Sequence, residues 1–350
     1  MACGGEQFLF NLRDGFWERT AVWRVGDGSE VVRKELRRLG RDGPWAQSAL
    51  HEEILYLRSL PEPARRWFPP LLESWDDGKG LGYSVPYLRG ARDAAGLVLE
   101  GSLSDAEAEA LQDCVVQAVF GDLHSESCRG DEPFLKHWRV IMEQSIAALG
   151  QVEDVVLLVE APRLKVDGAN CLGLRRAWTA VLDKGLPEAF DSEPCVRLHG
   201  DLILENVLWD RSAAPEPRMW LIDPVSVAGL WRGPPLFDLA KYESYARGGL
   251  YALRAGLFEA GPEPGSSTDW RFSVQWEAEP MRAFRRIDLW QRVRAAYVQH
   301  WGEPPAPLMS LLDAYFSLVM ARNTEGRQQL ARVLQAVRRL NEALGEGDVF

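Results

Sequence analysis

One short stretch of the chain carries a carboxylate and an amide that are close enough in sequence to act together in a reaction. His199-Gly200-Asp201 is followed by Asn206 five positions after the aspartate, and Asp223 comes 22 residues after Asp201, behind an apolar run. Phosphoryl transfer needs a base for the acceptor hydroxyl and oxygen ligands for Mg²⁺, with little covalent help from the protein. A loop with one carboxylate and one amide, next to a strand with a second carboxylate, supplies such groups. Mg²⁺ prefers hard oxygen ligands and keeps several waters.

This loop resembles the H-x-D-x-x-x-x-N catalytic loop of the protein-kinase-like superfamily. With Gly200 in second place, H-G-D is similar to the branch of aminoglycoside phosphotransferases, choline kinases and fructosamine kinases. Leu221-Ile222-Asp223-Pro224 stands where that branch carries an apolar-apolar-Asp segment in place of D-F-G. Gly229 and the run 235–240 resemble its G…DLA segment. The resemblance covers residues 196–240.

The resemblance implies a role for each residue of the motif. Asp201 would be the base that orients the acceptor hydroxyl, and Asn206 and Asp223 would be Mg²⁺ ligands. His199 would brace the loop, and Asp238 of the DLA segment would be structural. A turn with a capping aspartate is the other interpretation of His-Gly-Asp alone. The joint occurrence of the motif residues favours the catalytic interpretation.

The N-terminal part contains a second, independent match. Val31–Lys34 resembles the V-A-I-K strand of kinase-like folds, whose lysine holds the α- and β-phosphates and pairs with a helical glutamate. Strand alternation puts Val32 on the same face as Lys34, so Val32 is predicted to line the pocket for the nucleotide base. The family's spacing favours Glu53 as the partner of Lys34. Glu52 is the alternative, because adjacent helical residues point about 100° apart and only one can face the lysine.

Two backbone segments are expected to complete the nucleotide site by the same resemblance. The segment 14–20 stands where the glycine-rich loop belongs but holds a single glycine, Gly15, near which amides would cradle phosphate oxygens. A plain hairpin turn is the other interpretation of that segment. Pro86, Tyr87 and Leu88 resemble the hinge, whose backbone hydrogen-bonds the base, and a strand ending in a turn is the alternative there.

The elements that must position these residues begin with a β-rich part. Asp27-Gly28, between two apolar runs, is a typical hairpin turn. Helical spacing of apolar residues then ends before Pro61. The predicted elements of this part are a hairpin with strands at 20–25 and 30–36, a helix at 48–60, and two further strands at 69–75 and 83–88.

From residue 103 onward the apolar spacing is mainly helical. Ser104-Asp105-Ala106-Glu107 is a typical helix cap. The predicted elements are helices from 104 to about 124, at 134–149 and at about 326–344, a β-rich interruption at 196–223, and helices after 238 with a break at 261–267. Leu123-His124 is interpreted as core packing at the end of a helix.

Together with the resemblance, these elements predict an α+β, two-lobed, protein-kinase-like fold. A small antiparallel-sheet N-lobe with one key helix would span residues 1–88 and bind the nucleotide. A larger, mainly helical C-lobe would span 89–350 and carry the catalytic loop and the helices that bind the acceptor.

Charge and composition exclude several classes of protein. The 350 residues are 46% hydrophobic and 26% charged, which is typical of a globular chain and not of a disordered or fibrous one. The formal net charge of −11 has the wrong sign for a nucleic-acid or anionic-membrane binder. A cationic small molecule would be attracted, although acidity also serves solubility.

Cysteine usage and hydropathy bear on the compartment. The cysteines are odd in number, scattered and without a C-x-x-C pair, which disfavours a disulfide framework and a zinc site. We find neither a signal peptide nor a run of about 18 apolar residues. A cytoplasmic protein without a membrane or nucleic-acid partner is therefore expected, as a monomer or a homodimer.

The resemblance implies a kinase that transfers the γ-phosphate of ATP or GTP, with Mg²⁺, to a hydroxyl of a small molecule. Inactivation of an aminoglycoside or nucleoside antibiotic is the expected setting. Residues 243–290 are rich in aromatic and acidic side chains, which would suit a cationic acceptor or one that contains a sugar or nucleoside. The alternatives are a metabolic sugar or amino-alcohol kinase and a catalytically inactive kinase-like binding module. A protein kinase is disfavoured, because only 15 residues separate Asp223 from Asp238.

Overall fold

The computed structural model describes residues 6–14, 18–36, 43–76, 80–127, 134–212, 218–225 and 230–345. Its N-terminal part is a sheet with one long and one short helix. The elements of this part are β1 Gln7–Asp14, β2 Glu18–Arg24, β3 Glu30–Leu36, α1 Gly43–Arg58, α2 Glu62–Arg65, β4 Glu73–Asp76 and β5 Leu81–Pro86.

The five strands form one antiparallel sheet in the order β1-β2-β3-β5-β4. The predicted β2–β3 hairpin is confirmed, with Val22 opposite Val32. Its turn is closed by the N–H of Gly28, which donates to the carbonyl of Val25 at 2.8 Å. Gly28 has a φ of +85°, which glycine adopts at no steric cost. The edge strand β1 is an addition that we did not predict.

Helix α1 covers one face of this sheet. Leu50 and Ile54 pack against Leu81 and Tyr83 of β5, and these four side chains form a small core of their own. The predicted helix at 48–60 is confirmed, and it begins earlier than expected, at Gly43. Because α1 is fixed to the sheet through this apolar contact, the polar residues of its inner face have a defined position relative to β3.

The rest of the chain is mainly helical. The elements are β6 Ala91–Asp93, α3 Ala94–Leu99, α4 Asp105–Val115, a π-helix Val116–Leu123, α5 Phe134–Leu149, α6 Val156–Glu160, β7 Leu164–Val166, β8 Ala169–Cys171, α7 Leu174–Asp183, a 3₁₀-helix Pro187–Ser192, β9 Val196–Arg197, a 3₁₀-helix Leu204–Asn206, β10 Val207–Asp210, β11 Arg218–Leu221, β12 Arg232–Gly233, α8 Leu236–Ala246, α9 Gly249–Ala255, β13 Phe258–Pro262, β14 Asp269–Val274, α10 Glu279–Arg286, α11 Gln291–Trp301, α12 Ala306–Ala321 and α13 Gly326–Leu344.

The predicted helices of this part are confirmed. Ser104 and Glu107 form a reciprocal capping box at the start of α4. Helices α5 and α13 have the predicted bounds. The large core that they enclose is aromatic: Trp138 of α5 lies edge-on to Trp178 of α7 at 5.6 Å, and Phe237 of α8 contacts the rings of α12. Aromatic pairs of this geometry add to the free energy of burial.

Short strand pairs hold the β-rich interruption in place. Strand β10 pairs antiparallel with β11 and with β6, and β9 pairs with β12. The loop between β9 and β10 is thus anchored at both ends.

A hairpin of β13 and β14 stands where we predicted only a break between helices. It joins β7 and β8 in a four-stranded sheet, with β14 parallel to β7. Trp270 and Phe272 are buried, whereas Arg271 between them is exposed, which is the period of a strand. The break at 261–267 is therefore the turn of a hairpin.

The architecture is α+β, with an antiparallel sheet in the N-terminal part and a mainly helical C-terminal part. No helix in the described part of the chain is both long and apolar enough to cross a bilayer. The boundary between residues 88 and 89 stays a prediction.

Candidate active site

The loop after β9 is held by one buried carboxylate. Asp238, at the start of α8, accepts the backbone N–H groups of His199 at 2.8 Å and of Gly200 at 2.9 Å. The ring of His124 lies 3.0 Å from the same carboxylate through Nε2. Asp238 is fully buried, so its interactions with the protein replace those with water. The aspartate positions the loop and does not face solvent.

His124 reaches Asp238 from the end of the π-helix. Its backbone N–H donates to the carbonyl of Val119, five residues back, at 2.8 Å. Leu123 and His124 are both buried, which confirms the predicted packing. At the end of this π-helix, the side chain of His124 forms a hydrogen bond with Asp238 of α8, which lies 114 residues later in the chain. π-helical geometry at the end of an α-helix is rare and is frequent at functional sites.

Asp201 and Asn206 face each other across the loop. The side-chain amide of Asn206 donates to Asp201 twice, to the backbone carbonyl at 2.9 Å and to Oδ2 at 3.1 Å. Its NH₂ is therefore engaged, and Oδ1 is the atom that Asn206 offers to a cation. The ring of His199 accepts the N–H of Asp201 at 3.3 Å, which fits the predicted bracing role.

Asp223 follows β11 in an unusual backbone conformation. Its φ is 49°, and that of Val225 is 65°, a conformation that a β-branched residue rarely adopts. The strained turn is fixed by the N–H of Val225, which donates to the carbonyl of His199 at 2.8 Å, and by the N–H of Ile222, which donates to the carbonyl of Asn206 at 3.0 Å. Backbone strain of this kind concentrates at functional sites.

Lys34 of β3 connects the sheet to this turn. Its Nζ lies 2.8 Å from Glu53, 3.1 Å from Asp223 and 3.2 Å from Glu18. The structure thus pairs Lys34 with Glu53, the preferred partner, and the hydroxyl of Tyr83 donates to Glu53 at 2.7 Å. Glu18 is a neighbour that the sequence analysis missed. Three carboxylates surround one ammonium group.

Burial and charge act in opposite directions on this cluster. Burial by itself lowers the pKa of Lys34, but the carboxylates of Asp223 and Glu53 outweigh it and hold the pKa well above the ordinary value. Burial raises the pKa of Asp223, but the charge and the hydrogen bond of Lys34, together with the charge of Arg13, outweigh burial, so the pKa is lowered. For Glu53 burial dominates and raises the pKa. The cluster is a buried ionic network with an excess of acid.

The remaining predicted nucleotide contacts lie along β3 and after β5. Val32 stands between Val22 and Val85 in the sheet register. The N–H of Tyr87 donates to the carbonyl of Glu30 at 3.0 Å, which extends the sheet past Pro86. Proline has no N–H and that of Tyr87 is engaged, so Leu88 follows as the next backbone donor. Gly15 and Gly229 lie outside the described residues.

The oxygen atoms at this turn fit a magnesium ion. Asn206 supplies an amide oxygen and Asp223 a carboxylate, both of which are hard ligands, and Mg²⁺ needs only one or two protein ligands besides water and phosphate. In the described part of the chain no group of three His, Cys, Asp or Glu side chains could bind a metal by itself. A cation that is shared with a phosphate substrate fits this donor set.

Comparison with known proteins identifies the fold. No family model matches the chain, and no curated protein matches it significantly. The GDP and kanamycin complex of APH(2")-IIia superposes with a TM-score of 0.50 at 12% identity, over 99% of this chain and 94% of that one. The chain has the protein-kinase-like fold. At this identity the likeness defines the fold and leaves the activity to the chemistry of the site.

Other solved structures align at lower scores. The ethanolamine kinase of Plasmodium vivax has a TM-score of 0.49 at 9% identity, over 97% of this chain and 81% of that one. A glucosamine kinase in complex with glucosamine, ADP and inorganic phosphate has a TM-score of 0.42 at 13% identity, over 97% and 94%. The fold class predicted from the sequence is confirmed.

Within this protein-kinase-like fold, one charged residue next to Asp201 escaped the sequence analysis. Lys241 of α8 places Nζ 3.1 Å from Oδ1 of Asp201. It directly follows the DLA segment and is buried, although a helical lysine is usually exposed. Its position three residues after Asp238, on the same helical face, is the signal that could have revealed it.

Proposed function

We propose that this protein is a small-molecule kinase, which transfers the γ-phosphoryl group of ATP or GTP to a hydroxyl of a small acceptor. The observation that carries the proposal is the double engagement of Lys34, with Glu53 at 2.8 Å and with Asp223 at 3.1 Å. It brings the sheet of the proposed N-lobe, residues 1–88, to the loop of the proposed C-lobe, residues 89–350. A phosphate-binding lysine and a metal-binding carboxylate next to each other are what phosphoryl transfer needs.

On the donor side, Lys34 binds the nucleotide phosphates. Glu53, which accepts a hydrogen bond from Tyr83, holds its ammonium group in place. Val32 lines the pocket for the base, and the segment of Pro86, Tyr87 and Leu88 meets the edge of the base through its backbone. We assign phosphate contacts to the amides near Gly15 on the resemblance alone. The choice between ATP and GTP is left to experiment, because backbone contacts with the base involve no side chain whose identity would indicate which base is bound.

We assign Asn206 and Asp223 as the Mg²⁺ ligands. When bound, the ion neutralises charge on the donor phosphates and aligns them for transfer. Asp223 is already close to Lys34, so both groups would contact the same phosphate chain.

Asp201 acts on the acceptor. Its carboxylate accepts the proton of the hydroxyl while the acceptor oxygen forms a bond to the γ-phosphorus and the bond from that phosphorus to the bridging oxygen breaks. The products are a phosphate monoester, ADP or GDP, and one proton that Asp201 returns to water. Asn206 restricts the rotation of Asp201 through Oδ2, and His199 fixes its backbone. Positioning of this kind supplies much of the rate enhancement in phosphoryl transfer.

The acceptor is proposed in two versions. An antibiotic of the aminoglycoside or nucleoside type follows from the resemblance of the H-G-D loop. A metabolic sugar or amino alcohol is the second version. Retention of Lys34, Glu53, Asp201, Asn206 and Asp223 argues against an inactive kinase-like module, because such a module has no need to keep all five.

A coupled assay of ADP and GDP release tests the proposal. Wild-type protein with Mg²⁺ is given ATP and GTP in parallel with kanamycin, a nucleoside antibiotic, glucosamine and ethanolamine, and with no acceptor. We expect at least basal hydrolysis that is lost in Asp201→Ala and kept in Asp183→Asn. Asp183 is an exposed aspartate at the end of α7 and serves as the matched control. Equal rates in wild type and Asp201→Ala, together with no binding of Mg²⁺-nucleotide, would contradict the kinase assignment.

A further inference from the structure

The two carboxylate oxygens of Asp201 are held from two different elements. Oδ2 accepts a hydrogen bond from the side-chain amide of Asn206 at 3.1 Å, within the loop, and Oδ1 lies 3.1 Å from Nζ of Lys241 on α8. An ionised carboxylate has about four lone-pair sites, so each oxygen keeps a site for a further donor. With one contact on each oxygen, the plane of the carboxylate is fixed relative to the loop.

The loop itself offers no cation to this carboxylate. Residues 202–204, which follow Asp201, are apolar and buried. Burial lowers the pKa of His199, so the ring that accepts the N–H of Asp201 is neutral near pH 7. Among the described residues, the ion-pair partner of Asp201 is Lys241. The positive charge that meets Asp201 is therefore supplied by a different element of the fold.

Lys241 is buried at a position where its charge has little access to water. Its side chain is 10% exposed, and Nζ lies 4.6 Å from the ring centre of Phe316 and 5.8 Å from that of Tyr245. Aromatic rings attract a cation that water does not reach. Burial by itself lowers the pKa of Lys241, but the charge and the hydrogen bond of Asp201, together with Tyr245, outweigh burial and raise it. The ammonium group is thus a fixed positive charge between two rings and one carboxylate.

Helix α8 holds the loop at two points on one face. Asp238 accepts the backbone N–H groups of His199 and Gly200. Lys241 lies three residues later on the same face and reaches the side chain of Asp201. The first contact positions the backbone of the loop, and the second positions the carboxylate. Because both come from one helix, the carboxylate has a defined position relative to the loop that carries it.

Helix α8 is itself fixed in the core. The ring centre of Phe237 lies 5.2 Å from that of Phe316 on α12, the same ring that covers Lys241. The hydroxyl of Tyr242 donates to the carbonyl of Leu289 at 2.7 Å. These contacts hold α8 from both sides of Lys241, so the ammonium group has a fixed origin from which to hold Asp201.

Stability does not account for a lysine at this position. Replacement of a buried ion pair by apolar side chains is often neutral or stabilising, because the cost of removing both charges from water offsets their attraction. The rings of Phe316 and Tyr245 would pack equally well against an apolar side chain at position 241. An apolar side chain cannot hold a carboxylate oxygen, and the oxygen that Lys241 holds belongs to the proposed base.

We propose that Lys241 is a positioning residue for Asp201, which orients the carboxylate so that one of its free lone pairs meets the acceptor hydroxyl. This inference rests on the proposed kinase function. The transition state of phosphoryl transfer is loose, so a base acts mainly by orienting the attacking hydroxyl. A carboxylate that is held at both oxygens has little orientational freedom left to lose when the acceptor binds. The proton of the hydroxyl goes to Asp201, and Lys241 keeps its own protons throughout.

Steady-state kinetics of the full-length protein test the inference. Turnover is the release of ADP or GDP with Mg²⁺ and the acceptor that stimulates it most, or basal hydrolysis when none does. Lys241→Met should lower kcat by about 10- to 100-fold, the usual cost of misplacing a catalytic group. KM for nucleotide and for acceptor should change by less than about threefold, because Lys241 contacts Asp201 and not the substrates. Lys241→Arg keeps the charge beside the same rings and should recover part of kcat.

Two control variants separate positioning from packing. Tyr242→Phe, at the next residue of α8, removes the buried hydrogen bond to Leu289 and should lower the melting temperature while kcat stays unchanged. Lys136→Met removes an exposed lysine of α5 and should behave as the wild type does. Lys241→Met should show the opposite of Tyr242→Phe, a reduced kcat at an unchanged melting temperature. Lys241→Gln is the second uncharged variant if Lys241→Met does not fold. An equal loss of kcat in Tyr242→Phe would show that any change in α8 slows the reaction, and it would overturn the inference.

A double-mutant cycle decides whether Lys241 acts through Asp201. In the Asp201→Asn background, Lys241→Met should have no further effect on turnover, because the group that it positions is gone. The cycle also has a readout that needs no turnover. Asp201→Asn leaves the buried ammonium group without a carboxylate and should lower the melting temperature, and the addition of Lys241→Met should restore it.

Failure of this inference is distinct from failure of the proposed function. Turnover that is lost in Asp201→Asn but kept or raised in Lys241→Met retains the kinase function and overturns the positioning role. Effects of the two substitutions that multiply in the double variant also overturn it. If the wild type binds Mg²⁺-nucleotide without turnover, melting temperatures that change additively in the cycle overturn it. Absence of both turnover and nucleotide binding in the wild type defeats the kinase function, and the inference with it.

Discussion

Two buried lysines pair with different aspartates of the candidate site, Lys34 with Asp223 after β11 and Lys241 with Asp201 after β9, and their surroundings are opposite. Lys34 has three carboxylates within 3.2 Å, those of Glu18, Glu53 and Asp223. Among the described residues Lys241 has one, that of Asp201, and is covered by the rings of Phe316 and Tyr245. Lys34, on the proposed donor side, is thus surrounded by an excess of acid, whereas Lys241, on the proposed acceptor side, is matched by one carboxylate.

The difference between these surroundings indicates what each lysine does. An excess of carboxylates is relieved by a divalent cation, which a nucleotide brings with its phosphates. The ammonium group of Lys241 is instead neutralised by one carboxylate, that of Asp201, so its position suits the orientation of this carboxylate. We therefore propose different tasks for the two lysines, although each pairs with an aspartate of the candidate site, Lys34 with Asp223 and Lys241 with Asp201.

The largest effect is expected where both sides meet, at Asp201. Asp201→Asn removes the proton acceptor but keeps the hydrogen bond from Asn206, so kcat should fall by about 10²- to 10⁴-fold, the usual contribution of a general base. Nucleotide affinity should change little, because the donor side is untouched. Steady-state kinetics and nucleotide titration check both expectations. Unchanged turnover would remove Asp201 from this role, and a parallel loss of nucleotide affinity would mean that the two sides are not separable.

The second-largest effect is expected on nucleotide affinity, and it distinguishes the role of Lys34 from that of Lys241. Lys34→Met should weaken nucleotide binding by about 10- to 100-fold, which corresponds to a buried charged hydrogen bond of about 1.5–3 kcal/mol. Lys241→Met should leave nucleotide affinity unchanged and lower kcat instead, because its ammonium group pairs with Asp201. Fluorescence titration with labelled ATP and GTP measures the first effect. If both variants lose nucleotide affinity to the same extent, the comparison between a donor side and an acceptor side is wrong.

The Mg²⁺ dependence of activity tests which of the carboxylates around Lys34 binds the metal. Asp223→Asn keeps the shape of the side chain and removes its charge, so the Mg²⁺ concentration for half-maximal activity should rise by about tenfold. Glu18→Gln, on the neighbouring strand, removes a carboxylate that pairs with Lys34 and is not an assigned metal ligand, and it should shift the Mg²⁺ requirement less. A Mg²⁺ titration of both variants compares them. An equal shift would show that total charge, and not ligation by Asp223, determines metal binding.

The sequence was most informative where function imposes a fixed local spacing. Asp201 and Asn206 lie on one loop, Asp223 closes the next hairpin, and Lys34 stands at its position in a short strand. Each could be found without knowledge of the tertiary structure, because the chemistry constrains residue types within a few positions. The capping box of α4 and the bounds of α13 were predictable for the same reason: their signals are local.

What the sequence did not reveal depends on contacts between distant segments. Arg332 lies in an amphipathic helix with several other arginines, and only the packing of α13 shows that it is buried. Glu18 reaches Lys34 from the neighbouring strand, where no motif marks it. The β13–β14 hairpin was missed because its turn, rich in glycine and proline, is equally typical of a break between helices. Whether a charged side chain is buried depends on the tertiary structure, and the composition of the chain does not indicate it.

The smallest effect is expected at the ion pair of Arg254 with Glu205. Arg254 pairs with Glu205 at 2.9 Å, but its side chain is 43% exposed, in contrast to Arg332. Exposed ion pairs contribute about 0–1 kcal/mol because water screens them. Arg254→Ala should therefore lower the free energy of unfolding by no more than about 1 kcal/mol, and by less at high salt. Denaturant unfolding at low and high ionic strength measures the effect. A larger loss that does not depend on salt would show that water does not screen this pair, and that Arg254 holds the loop of Glu205 in place as a structural residue.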